Sequence, residues 1–139
     1  MTHPYSVYKS HKTIEWTRVD MLLELLSAML SSLRQFKDAF QHGDSNAANA
    51  LRIRCQRLLV ELQAGIDLSK GEVALNTQRL YIFVGACLSE PDEQSIGAAI
   101  RALTPIYEGF EQIRPEAIRL ESEGVIPPID EIQRMETVA

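Results

Sequence analysis

The stretch Leu51–Val84, LRIRCQRLLVELQAGIDLSKGEVALNTQRLYIFV, decides the fold. In its first half, Leu51, Cys55, Leu58, Leu62 and Ile66 recur at steps of three and four, the repeat that builds one apolar face on a helix. In its second half, Val73, Thr77, Leu80, Val84 and Cys87 repeat the pattern, with Tyr81 beside the stripe. Between the halves lies Asp67-Leu68-Ser69-Lys70-Gly71. Lys70 suits the carbonyl end of a helix, and Gly71 can take the left-handed conformation that stops one. Two amphipathic helices joined this tightly fold back antiparallel. The spacing predicts helices over 45–67 and 72–89, which together make half of a bundle.

Outward from the hairpin, the pattern continues in both directions. Thr17 and Asp20 read as a capping box that opens a first helix. Val19, Leu22, Leu26, Met29, Leu33, Phe36 and Phe40 then form its seam, and Met21, Leu23, Leu25 and Leu30 widen it. Gly43 ends that helix, and Asp44 or Ser45 caps the next, which opens on the small residues Ala47, Ala48 and Ala50. After Pro91, Asp92 opens a fourth helix, with Ile96, Ile100, Leu103, Tyr107 and Phe110 facing inward. Pro105 is expected to kink or split it, and Pro115 to begin a separate short turn over 116–121. No strand-type alternation competes. The expected fold is all-α, an antiparallel up-down four-helix bundle over 17–122. A flexible arm, 1–16, precedes it. Beyond the short C-terminal helical extension comes a tail, 123–139, where Ile129, Ile132 and Met135 fit a short amphipathic helix.

Composition narrows the class. A chain of 139 residues with 45% apolar and 24% charged residues can build a core without disulfides or metal. The formal charge of −5 argues against nucleic acid and against an anionic membrane surface. No apolar run reaches the roughly 20 residues of a membrane span, and Met1-Thr2-His3-Pro4-Tyr5 has no basic-then-apolar leader. A cytoplasmic protein is expected. Cys55 and Cys87 each sit within a helical pattern and read as buried small hydrophobes. A disulfide would require their helices to face each other there.

A search for chemistry yields little. No Glu-x-x-His pair suggests a di-iron core, and no Cys/His cluster suggests zinc. His3 and His11 fall in the arm, and His42 sits beside Gly43 at a helix end, unlike the mid-helix histidine of a phosphotransfer bundle. Arg52, Arg54 and Arg57 read as a solvated face, since residues two apart point about 200° from each other. There is no glycine-rich phosphate loop. Neither catalysis nor a cofactor is expected, so binding remains. Ile53, Leu59 and Val60 fall off the stripe of the second helix, and Leu75 and Ile82 off that of the third. Such residues can flank a groove for an amphipathic partner helix.

The chain also resembles a known family. Leu62-Gln63-Ala64-Gly65-Ile66-Asp67-Leu68-Ser69-Lys70-Gly71-Glu72-Val73-Ala74, followed by Asn76, Leu80 and Tyr81, is similar to the signature of the FliS-type flagellar export chaperones. One glycine of that family's double-glycine corner is missing. Tyr8 stands nine residues before Thr17, matching the family's N-terminal tyrosine. Leu22, Leu25 and Leu26 fit its first helix, and Gly43-Asp44 its next corner. Phe110-Glu111-Gln112-Ile113, with Pro115 and Ala117, resembles its ending. Thr17-Arg18 and Ser27-Ala28 depart from the pattern, marking a divergent member.

The resemblance implies a chaperone without enzymatic activity. Its partner would be the C-terminal segment of flagellin, disordered when free, held in the cytoplasm for type III export and kept from premature polymerisation. Export-gate components would be further partners, and the protein a monomer or weak homodimer. Tyr8 would cap the binding surface. Ile53, Leu59, Leu75, Asn76, Tyr81 and Ile82 would line it. The alternatives are a bundle serving another secreted or regulatory partner, or a phosphotransfer module.

Overall fold

A computed structural model describes residues 17–125. Four α-helices account for nearly all of it: α1 (Arg18–Gln41), α2 (Ser45–Ala64), α3 (Glu72–Ser89) and α4 (Glu93–Ser122). A single 3₁₀ turn, Leu68–Lys70, lies between α2 and α3, and no strand occurs among the described residues. The fold is an all-α four-helix bundle.

Local chemistry sets the helix ends. Thr17 Oγ1 accepts from the Asp20 amide at 3.3 Å while Asp20 Oδ2 accepts from the Thr17 amide at 3.4 Å, a closed capping box. At the other end of α1, Gly43 takes φ +69° and the Asp44 amide reaches back to Ala39 O at 3.0 Å. Asp44 then caps α2, its Oδ1 accepting from the Ala47 amide at 3.1 Å. Asp92 and Ser95 close a reciprocal box on α4: the Ser95 amide donates to Asp92 Oδ1 at 2.6 Å and the Asp92 amide to Ser95 Oγ at 2.8 Å.

Two expectations about boundaries need correcting. α2 stops at Ala64, not Asp67, because Asp67 turns its carboxylate onto the Ser69 amide at 3.0 Å and starts the 3₁₀ turn. Gly71 has the left-handed φ anticipated for it, +96°, but it serves as N-cap of α3. The second correction concerns α4, which runs unbroken through Pro105 and Pro115 and absorbs the separate turn expected at 116–121. Both prolines lie on its exposed face, as do Arg101 and Glu111, whose carbonyls lose their intrahelical donors. Carbonyls open to water tolerate that loss, so the helix continues.

The chain divides into two compact units. The larger, Glu24–Gly109, holds the main core. Leu26, Met29, Leu33 and Phe36 of α1 are buried in it, with Cys55, Leu59 and Leu62 of α2, Tyr81, Val84 and Leu88 of α3, and Ile96, Ala99 and Leu103 of α4. Each large apolar side chain so buried contributes about 1.5–3 kcal/mol of transfer free energy. The described part of the smaller unit is residues 17–23 and 110–125. There, Arg114 Nε donates to Asp20 Oδ1 at 2.6 Å, and the Arg18 amide donates to Glu121 Oε2 at 3.3 Å.

The core face of α3 differs from the expected stripe. Val73 is 74% exposed and Leu80 also lies open, while Tyr81 and Leu88 are inside. The buried line is therefore Tyr81-Val84-Leu88, flanked by Cys87. On α1, Phe40 reaches the exposed end of the seam and stacks edge-on against buried Phe36, ring centroids 6.3 Å apart.

Candidate functional site

α2 and α3 pack against each other within the larger unit. Their register is fixed by two contacts. Arg52 reaches from α2 to the end of α3, where Nε donates to Leu88 O at 2.7 Å and Nη2 to Ser89 O at 2.9 Å. Further along, Leu59 lies against Gly85, whose absent Cβ would sit 3.5 Å from Leu59 Cδ2. These contacts run antiparallel and put Val60 about level with Ile82.

Turning about 100° per residue from the Arg52–Leu59 line, away from Cys55 and Leu62, brings Ile53 and Val60 to the outer edge of α2. The same turn on α3, from Gly85 away from the core, brings Leu75 and Ile82 to the facing edge. All four are exposed: Ile53 40%, Val60 64%, Leu75 40% and Ile82 58%. Gln56, Gln63 and Gln78 fall between the two edges. The result is an apolar-walled groove along the outside of the hairpin, with neutral amides on its floor.

The structure brings together only part of the expected site. Ile53, Leu75 and Ile82 flank the groove. Leu59 and Tyr81 do not line it, because they are 5% and 1% exposed, inside the core. The expectation that they face outward is thereby corrected: Leu59 fills the seam between α2 and α3, and Tyr81 is part of the buried line of α3. Asn76 is exposed but lies on the opposite edge of α3, where its Oδ1 accepts from Arg79 Nη1 at 3.2 Å. Tyr8 lies outside the described residues. Val60, which the sequence set off the stripe of α2 but which was not among the expected lining residues, joins Ile53 on the edge of the groove, seven residues on. Gln78 was missed altogether and carries no signal in the sequence.

α3 has a second apolar edge, beside Asn76, formed by Val73, Leu80 and Phe83. Together the two edges leave five large apolar side chains of α3 exposed: Val73, Leu75, Leu80, Ile82 and Phe83.

The polar groups are structural. Besides Arg52, Arg54 joins helices, its Nε donating to Ser32 Oγ at 2.9 Å. The reading of these arginines as a merely solvated face is corrected: two of them fasten α2 to its neighbours. His42 is fully exposed; its Nδ1 meets Asp38 O at 2.8 Å, which with the Asp38 carboxylate raises its pKa. Both cysteines are buried free thiols. Burial pushes the Cys55 thiol up to about 11 and the Tyr81 phenol up to about 12. No cluster of three or more His, Cys, Asp or Glu side chains suited to a metal occurs among the described residues, and no helix there is long and apolar enough to cross a membrane.

Comparison with known proteins gives one result. No curated protein and no solved structure matches the chain. A sequence model of the family described as flagellar protein FliS matches residues 1–117. A four-helix bundle with an open apolar hairpin face is an architecture suited to a binding protein, and the match extends over most of its length. The chain belongs to the FliS family of flagellar proteins, a family of chaperones.

Proposed function

We propose that this protein is a cytoplasmic export chaperone that binds the C-terminal segment of flagellin and holds it for the flagellar type III apparatus. The observation that carries the reading is the groove between α2 and α3, where Ile53, Val60, Leu75 and Ile82 stay exposed in a family of flagellar chaperones. A disordered segment loses conformational entropy when it binds, so it needs a long apolar track to offset that cost. The second edge of α3 extends the track and suits a client that wraps. Covering the segment keeps flagellin from polymerising and leaves it unfolded for a narrow channel. Export-gate components would then receive the complex.

The working unit is the bundle over 17–122, as a monomer or weak homodimer, with the arm 1–16 and the tail 123–139 as adjuncts. Tyr8 of the arm would cover the groove when no client is present.

Isothermal calorimetry with the cognate flagellin tests the reading. A one-to-one complex at micromolar concentration or tighter is expected, and Val60→Glu or Ile82→Glu should weaken it at least about tenfold. Absence of heat from wild-type protein at those concentrations would overturn it.

A further inference from the structure

The walls of the groove are apolar, yet its floor holds an amide whose hydrogen bonding is incomplete. Gln78 Oε1 is the one buried side-chain polar atom among the described residues with no hydrogen-bond partner. Gln78 follows Leu75 by three residues and precedes Ile82 by four, so it lies on the same edge of α3. It also precedes Gly85 by seven, and Gly85 is the residue that Leu59 touches, so Gln78 faces α2. An acceptor shielded from water and left unpaired forfeits its hydration with nothing in return. Methionine has a similar length and helix propensity and would carry no such penalty. A rule broken at a binding surface points to a use for the residue there.

An apolar track by itself leaves a guest helix free to slide. Its anchors repeat every three to four residues, so a shift of one turn, about 5.4 Å, restores most of the contact. One polar pair within an apolar seam removes that freedom, as a single buried asparagine fixes register in a coiled coil. Resting on the reading of the groove as the client site, we propose that Gln78 sets the client's register: the bound helix presents one neutral donor, an Asn, Gln, Ser or Thr side chain, to Gln78 Oε1 when its apolar residues seat against Val60 and Ile82. The donor is neutral because the groove has no carboxylate on its walls or floor to offset a desolvated ammonium or guanidinium. Because the oxygen is shielded in the free protein, docking includes a rotation about the last, broad torsion of glutamine that brings it round to the guest.

The test uses Gln78→Met in the full chain, with a peptide of the flagellin C-terminal segment as probe. Urea unfolding should show the variant at least as stable as wild type, and calorimetry should show the peptide bound about five- to tenfold more weakly. Alanine replacement of each Asn, Gln, Ser and Thr in the peptide should reveal one position that costs a similar factor against wild type and almost nothing against Gln78→Met. Equal peptide affinity for wild type and Gln78→Met, with Ile82→Glu still blocking binding, overturns the role of Gln78 and leaves the groove standing. Full binding by both variants removes the groove and this inference together. A clear loss of stability in Gln78→Met also overturns it, since Gln78 would then have a partner inside the fold.

Discussion

Arg52 of α2 closes the end of α3: two guanidinium donors reach the carbonyls of Leu88 and Ser89 at 2.7 and 2.9 Å. These are carbonyls that a helix terminus leaves without intrahelical donors, and a cation there also meets the negative end of the helix dipole. The contact therefore ties the N-terminal half of α2 to the C-terminal end of α3. Arg52→Ala should lower stability by about 1–2 kcal/mol, the worth of a half-exposed, charge-assisted pair. Arg52→Lys should recover less than half of that, because an ammonium does not reproduce the planar fork. Urea unfolding followed by circular dichroism measures both.

Leu59 and Val60 are neighbours in sequence with opposite roles, one 5% and the other 64% exposed. Leu59→Ala should cost about 2–4 kcal/mol by emptying the seam against Gly85. Val60→Ala should change stability by less than about 0.5 kcal/mol and act on client affinity instead. Thermal unfolding and calorimetry on the two variants separate these effects. Comparable destabilisation by both would contradict the assignment of faces.

The corners of this fold were legible because their signals are local. Thr17 and Asp20, Gly43, Asp44 and Asp92 each act within five residues of their position, and all of them serve at helix ends. The rotation of α3 was harder to read. Val73, Leu75, Leu80, Tyr81, Ile82, Phe83 and Val84 occupy nearly every direction round the helix, so several stripes fit equally well. Packing against Leu59 chose the one through Tyr81 and Leu88, and so hid two residues expected in the groove. The bonds of Arg52 and Arg54 join residues 36 and 22 apart in the chain, beyond the reach of periodicity. Pro105 and Pro115 misled for a different reason: their cost depends on which way the freed carbonyl faces, and only the packed structure decides that.

Alkaline pH should weaken the fold through its buried thiols and phenol, Cys55 and Tyr81 most strongly and Cys87, also raised by burial, beside them. Burial raises the Cys55 thiol from 9.0 to about 11 and the Tyr81 phenol from 10.0 to about 12. The folded state therefore keeps protons that the unfolded state has released. That contribution is intact below pH 9 and is lost as pH rises through 9–11 for Cys55 and 10–12 for Tyr81. Urea midpoints between pH 8 and 11 should fall, and the fall should be smaller in Cys55→Ala/Tyr81→Phe after allowance for its lower baseline. Equal slopes would show that neither thiol nor phenol is shielded.

Acid should act through Asp20. Partial burial pulls its pKa up, but the hydrogen bonds from Arg114 and Thr17, with the guanidinium charge, outweigh burial and set it below 3.8. A carboxylate depressed on folding contributes stability above its unfolded value, lost as pH falls through the folded one. The difference in urea midpoint between wild type and Asp20→Asn should be constant from pH 7 to 5 and close below pH 3.8. A chemical-shift titration of the Asp20 carboxyl should move upward in Arg114→Leu.

Pro105, like Pro115, is a local conflict within α4. It sits in the interior of a 30-residue helix, removes the donor for Arg101 O, and has no compensating side-chain bond to that carbonyl among the described residues. In a helix interior proline costs about 3 kcal/mol relative to alanine, partly offset here because the carbonyl faces water and because proline stiffens the unfolded chain. Pro105→Ala should therefore stabilise the protein by about 1–2 kcal/mol. It should also slow hydrogen exchange at the helical amides around residue 105, since an intact ladder opens less readily. Groove residues lie on α2 and α3, so client affinity should stay within about twofold of wild type. A variant that loses stability would mean that the proline ring itself packs against the bundle, contrary to its exposed position on α4.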